Sequence, residues 1–499
     1  MNAEASIQTP LDVIIVGAGI SGIGMAAHLV ESCPGRTFAI LDRRERPGGT
    51  WDLFRYPGVR SDSDMYTLGF RFEPWRDDDS IAGGETILAY LDRVIDSRGL
   101  RPHMRFGRTV VAADWDSATA LWTVTQEDSE GQRSTLSGRF LFLGAGYYDY
   151  DNPHDAQIPG LDSFAGTVIH PQFWPKDFDH AGKRVVVIGS GATAVTVVPA
   201  MARTAAHVTM LQRTPTWFGA RPSQDRFALT LRKLLPEKWA YAITRWKNIR
   251  LHDYLFRKAR TEPEAVGRFL LGKVREAVGE RFRKEDYAPP YGPWEQRLCL
   301  VPDGDLFTAI RENRASVVTG AIRTVGENGI ALTDGRRIDA DVIVTATGLR
   351  MAVAGKIAVS IDGQPVNMHE QFYYRSCMFS NVPNMAALFG YLNAGWTLRV
   401  DIIADWLTRL FNQMDAWKVD VVTPCLPKDH DLVEEQVFDF FSSGYLQRGK
   451  GIVPKSATTA PWQFAMDYLT EKRELAKAPI DDGVLRFSRA PALASPPVA

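Results

Sequence analysis

The chain has 499 residues, about three domains' worth at roughly 150 residues each. Its 58 Lys and Arg stand against 59 Asp and Glu for a net charge of −1, with 45% hydrophobic and 23% charged residues. That balance excludes a disordered or collagen-like chain and a nucleic-acid binder working by bulk positive charge. The 4 cysteines lie far apart, with no CxxC pair and no zinc-ligand spacing. No metal site is expected, and a reduced, cytosolic compartment is the default. Residues 1–10 are polar and lack an apolar signal core.

The apolar run 13–30 is broken by Gly17, Gly19, Gly22 and Gly24, so it reads as strand, turn and helix rather than a membrane span. Val13–Val16 is β-branched, GxGxxG follows at Gly17, Gly19 and Gly22, and Ile23, Ala26, Ala27 and Val30 repeat at helical spacing. This is the context a dinucleotide fingerprint needs: a tight turn, close approach to a pyrophosphate, and a helix N-terminus aimed at phosphate. Ser21 lies in the same turn. The next strand, Phe38–Leu41, ends at Asp42, an acceptor for a ribose diol, followed by Arg43.

A gapless second copy runs from Val185 to Ala194 and contains Gly189, Gly191, Ala192 and Thr193. Gly22 aligns with Ala194, and Asp42 aligns with Thr214, beside Arg213. An acid repels a ribose 2′-phosphate, whereas an Arg fork binds one. The first site therefore reads as FAD-type and the second as NADP-type. Leu141–Gly146 and Asp341–Gly348 read as the strands by which the chain leaves and re-enters the first unit.

The expected fold is α/β, with two Rossmann-like dinucleotide-binding domains and a helical insertion. FAD is assigned to 1–148 and 347–499, NADP to 152–215 and 293–346, and the insertion to 216–292. Within the insertion, Tyr241 to Asp286 holds twelve Lys or Arg against seven Asp or Glu. Apolar residues between them suit amphipathic helices. These helices read as a lid or as a charged face packed on the NADP domain. A second reading is a basic face touching anionic membrane, which makes the protein peripheral there. The Pro-rich end, 489–499, is expected to fray.

The missing CxxC removes a redox-active disulfide from the chemistry. The segments Gly49-Thr50-Trp51, Ser61-Asp62-Ser63-Asp64-Met65-Tyr66 and Phe164-x-Gly166-x-x-x-His170-x-x-x-Trp174 then discriminate. Here the sequence resembles the class B flavoprotein monooxygenases. The Phe164–Trp174 pattern is similar to the Baeyer–Villiger fingerprint, and the runs around GGTW and PWEQRLCLVPDGDLF look closest to the ethionamide-activating subgroup. The resemblance implies FAD, NADPH and O2 as reactants, a C4a-peroxyflavin as oxidant, and ketones as substrates giving esters or lactones. Thioethers are a further substrate class.

The resemblance implies that Arg297 is the cation at the reacting oxygen, with Asp62 orienting it. Asp64 is the weaker candidate for that role, and capping of the next helical turn is the alternative for Asp62. Tyr66, Val111 and Trp396 are expected along the flavin or the ketone pocket. The helix after Asn393 is expected to aim its N-terminus at the flavin. His170 is read as a hinge residue between the domains and not as a general base. Rival readings are an S- or N-oxygenase and an NADPH oxidase or flavin redox sensor.

Overall fold

The computed structural model describes residues 9–438 and 441–491. Residues 1–8 and 492–499, which hold most of the polar opening and of the Pro-rich end, lie outside the described residues. Two parallel sheets organise the chain, each grown from one of the glycine motifs.

In the first sheet, Leu11–Val16 pairs in parallel with Phe38–Leu41 on one side and Arg133–Leu143 on the other. Val13 to Val16 are buried, as befits a strand covered on both faces. The sheet has 11 strands. An antiparallel meander, Thr109–Asp116 to Leu121–Glu127 to Arg133–Leu143, extends one side. Met385–Ala387 returns late in the chain to pair with Leu141 to Leu143. The helices Ile20–Ser32 and Trp396–Trp417 pack together over this sheet in the largest apolar cluster.

The second sheet has 5 strands in the order Ala315–Thr319, His207–Gln212, Arg184–Ile188, Val342–Thr345 and Thr167–Ile169, all parallel. The chain enters it at Thr167 and leaves it after Thr345. Before and after that excursion it builds the first sheet.

The stretch 216–292 holds the helices Arg226–Leu234, Glu237–Thr261 and Pro263–Val278. It opens on a strand, Phe218–Arg221, paired in parallel with Cys299–Pro302. The helices divide between the two bodies. Pro263–Val278 buries Val274 and Val278 among the apolar residues of the second sheet. Glu237–Thr261 crosses to the first. There the Tyr241 hydroxyl donates to the Phe70 carbonyl at 2.8 Å, and Arg245 Nη2 meets Asp401 Oδ2 at 2.9 Å. Among the described residues no helix is long and apolar enough to cross a membrane.

Candidate functional site

Both glycine turns open into one cavity of about 1190 Å³. Gly17 has φ +103° and Gly189 has φ +135°, a region that glycine enters freely. A Cβ on Gly17 would stand 2.6 Å from the Gly144 carbonyl oxygen, and one on Gly189 would stand 2.3 Å from that of Ala346. Each turn is therefore clamped against the exit of a neighbouring strand. At the third position the copies differ. A Cβ on Gly22 would lie 1.8 Å from the Gly17 oxygen, whereas the second turn accommodates Ala194. Gly22 and Ala194 sit behind the wall and set the helix–strand approach, while Gly19, Ser21, Gly191, Ala192 and Thr193 line the cavity.

Asp42 lines the same wall. Its carboxylate accepts from the Ala18 amide at 2.6 Å and the Arg44 amide at 2.8 Å. A carboxylate has about four acceptor sites, so capacity remains for a diol. Burial raises its pKa, opposed by those two amide bonds and by nearby Arg44 and Arg43. Arg43 lines the cavity while bonded to Asp151 at 3.1 Å. Gly49, Thr50 and Trp51 complete this end.

On the second turn, Arg213 and Thr214 both line the cavity. The Thr214 carbonyl accepts from Ser190 Oγ at 3.1 Å. Arg213 is exposed and forms no ion pair among the described residues, which leaves a cation free at the end of strand His207–Gln212.

Between the two turns stands Arg297. Its Nη2 donates to Asp62 Oδ1 at 3.0 Å, and both residues line the cavity. Burial works against the guanidinium charge, but Asp62 and the nearby Tyr445, Tyr147 and Tyr148 outweigh it and hold the pKa above the ordinary Arg value. Asp64, the alternative partner, faces elsewhere. It caps the helix Met65–Leu68 through the Thr67 amide and accepts from Asn248 at 2.9 Å. The cap expected of Asp62 thus falls to Asp64.

Several side chains that complete this wall were invisible to motif reading. Tyr147 stacks on Trp396 with centroids 5.2 Å apart and an interplanar angle of 11°. Its hydroxyl is bonded to that of Tyr148. Burial pushes both hydroxyls far above the usual phenol range, and that of Tyr445 likewise. Trp396 is fixed from behind by an Nε1 bond to Ser21 Oγ at 2.9 Å, and Gly395 caps its helix beside the cavity. The loop carrying Arg297 turns through Trp294, at φ +65°. Trp294 stands edge-on to His252 and Phe256, each 5.5 Å away on helix Glu237–Thr261. The Glu295 carbonyl accepts from the Ser442 amide at 2.8 Å.

Two expected contacts are corrected. Val110, not Val111, lines the cavity. Alternate strand residues face opposite sides, and the pairing of this strand shifts register between Val110 and Ala112. Tyr66 is buried away from the cavity, with its ring 5.9 Å from that of Tyr241. Its helix turns inward from the Asp64 cap.

The fingerprint residues stand outside the cavity wall. Phe164 packs beneath the second sheet, and a Cβ on Gly166 would lie 2.4 Å from the Asp341 carbonyl oxygen. His170 Nδ1 accepts from the Gln172 amide at 3.2 Å, capping a short turn, and burial lowers its pKa. A neutral imidazole used as a cap suits a linker role. Trp174 stands edge-on to Phe178 at 6.2 Å. Cys299 is inert as a nucleophile because burial pushes its thiol up to about 12.

Residues 80–411 match the model of the flavin-binding monooxygenase-like family, and residues 15–77 match an NAD(P)-binding Rossmann-like domain. The chain is 45% identical to a probable FAD-binding monooxygenase AlmA of Acinetobacter baylyi, over 97% of both chains. It is also 45% identical to the FAD-containing monooxygenase EthA of Mycobacterium tuberculosis, over 97% of this chain and 98% of that one. The chain belongs to the flavin-binding monooxygenase-like family. Among solved structures this family member superposes on a steroid monooxygenase bound to NADP with a TM-score of 0.78 at 24% identity, covering 96% of this chain and 100% of that one. A cyclohexanone monooxygenase bound to ε-caprolactone gives 0.75 at 21% identity, over 96% and 100%. These likenesses show the α/β fold with its two nucleotide-type sheets.

Proposed function

We propose that this chain is an FAD- and NADPH-dependent Baeyer–Villiger monooxygenase that converts ketones to esters or lactones with O2. The observation that carries the reading is the Arg297–Asp62 pair, which faces a cavity opened by two glycine turns of unlike polarity. The first turn fits FAD: Gly19 lacks a side chain that would fill the groove, the helix from Ile20 offers its amides to phosphate, and Asp42 retains acceptor capacity for a ribose. The second turn fits NADPH: Gly191 faces open space, and Arg213 is a free guanidinium for a 2′-phosphate.

Bound FAD supplies the route by which electrons from NADPH reach O2. The chain's own residues do the rest. Arg297 keeps its charge at any working pH and presents N–H groups to a ketone oxygen as that oxygen gains negative charge. Asp62 fixes the direction of that fork. Tyr147, Tyr148 and Tyr445 stay protonated, and the bond between the Tyr147 and Tyr148 hydroxyls spends one of those protons, so the three neutral hydroxyls add no competing charge beside the guanidinium. The stacked Tyr147 and Trp396 rings keep water from one wall.

The test is product analysis. Holoenzyme given NADPH, O2 and a cyclic ketone should form a lactone. Arg297→Ala should still reduce its flavin with NADPH but lose lactone formation by 100-fold or more, roughly the loss of one charge-stabilising group. Lactone formation near the wild-type rate in that variant refutes the assignment. Sulfoxide from a thioether with no lactone from any ketone points instead to a heteroatom oxygenase.

A further inference from the structure

Ten of the fifteen large apolar side chains exposed among the described residues fall between Phe227 and Phe269. Leu234 is 72% exposed, Trp239 65% and Trp246 62%. Soluble proteins rarely leave such a concentration in water without a partner. On helix Glu237–Thr261, Trp239, Ile243, Trp246, Arg250 and Tyr254 recur at a spacing that places them on one face. The other face is buried through Tyr241, Arg245 and Asn248. Leu234 ends the helix Arg226–Leu234, and Leu235 follows it in the turn that precedes this helix.

The surround is cationic. Residues 226–260 hold ten Lys or Arg and two Asp or Glu, in a chain whose net charge is −1. Some of these cations are engaged, as Arg232 is with Asp78 and Lys247 with Asp225. Arg226, Lys233, Lys238, Arg250 and Arg260 form no ion pair among the described residues. Arg250 lies over the Trp246 ring at 5.8 Å, and Lys258 over Tyr254 at 5.9 Å.

A second copy of the chain fits this face poorly, because a self-complementary contact brings the same cations together. A surface of phosphate-bearing lipid fits it well. Lys and Arg sit at headgroup level, Trp and Tyr at the boundary, and Leu below it. We propose that the Leu234–Tyr254 face docks this protein on anionic phospholipid bilayers, with Leu234, Leu235 and Trp239 entering the acyl boundary. The opposite side of the same helix supports Trp294 of the Arg297 loop. A docked chain therefore holds its reaction site one helix away from the lipid, within reach of apolar compounds dissolved there. The docking does not depend on the proposed reaction.

The experiment is co-sedimentation of the full-length holoenzyme with vesicles of phosphatidylglycerol and phosphatidylcholine, against vesicles of phosphatidylcholine alone. Binding is expected to the anionic vesicles and to fall about tenfold or more without the anionic lipid or at high salt. Leu234→Ser with Trp239→Ser, and separately Lys233→Glu with Lys238→Glu, should each lower partitioning roughly tenfold or more. Both should leave melting and NADPH-driven turnover of a water-soluble substrate unchanged, since these side chains are exposed and remote from the cavity. Brominated lipid should quench Trp fluorescence in the wild type and less in the first variant. Absence of anionic-vesicle binding, or binding unchanged in both variants, overturns the proposal. So does an oligomer that these variants dissociate while vesicles remain unbound, because the face is then a contact between copies.

Discussion

Arg245 links the helical insertion to the first sheet's body, and replacing it with Met is the sharpest test of how that join is held. Its Nη1 donates to the Tyr66 carbonyl at 2.8 Å and the Gly69 carbonyl at 2.6 Å, while Nη2 meets Asp401 at 2.9 Å. Both charged side chains are almost wholly buried, at 8% and 4% exposure. Removing one partner of such a pair leaves a buried charge uncompensated and costs roughly 3–5 kcal/mol, against about 1 kcal/mol or less for a surface pair. Asp401 keeps two other partners, the Arg71 amide at 3.2 Å and His28 at 3.3 Å, of which only His28 can carry charge, and His28 also meets Asp405 at 3.2 Å. Burial lowers the His28 pKa, but its bonds to the two carboxylates outweigh this and raise it above 6.5. A raised folded pKa stabilises fully below the unfolded value and loses that contribution as pH rises through the folded value. The Arg245→Met deficit should therefore deepen as pH climbs above 6.5. Urea unfolding across pH, with amide exchange followed over residues 66–69, measures both effects. A cost below about 1 kcal/mol with exchange unchanged refutes the argument, because the pair is then acting as a surface pair would. Adding Asp401→Asn should recover part of the loss.

Two further outcomes follow from the geometry. Arg213→Gln should reduce the preference for NADPH over NADH by about tenfold or more, the worth of a charge-assisted bond to phosphate, as read from the ratio of kcat/KM values; an unchanged ratio removes Arg213 from cofactor choice. Gly166→Ala should destabilise by roughly 1–3 kcal/mol, because its Cβ meets the Asp341 carbonyl oxygen at 2.4 Å and strand Thr167–Ile169 must shift off Val342–Thr345. A melting temperature equal to wild type shows that the strand yields freely.

What could be read in the sequence was whatever local spacing encodes. The two glycine turns, their strands and the Asp42-to-Thr214 exchange are short-range patterns; the turns, Asp42, Arg213 and Thr214 reach the cavity, while Gly22, Ala194 and most of the strand residues stand behind its wall. Arg297 and Asp62 needed the family resemblance, since they lie 235 positions apart and no periodicity joins them. Tyr147, Tyr148 and Tyr445 were missed for the same reason: they meet only after the chain has left the first sheet and returned. Val111 failed on a register shift and Tyr66 on a cap, both backbone events without a composition signature. The division of the insertion between two bodies was hidden because Arg245 resembles any other cation of an amphipathic helix until its buried partner is known.

The reach of the cavity along the chain has one more consequence. Val16 stands at one end of its lining and Arg448 at the other. A chain cut between Arg297 and Ser442 would keep both glycine turns but lose the Tyr445 wall and the Ser442 tether of the Arg297 loop, so the nucleotide turns and the enclosure of the guanidinium are separable parts of one site.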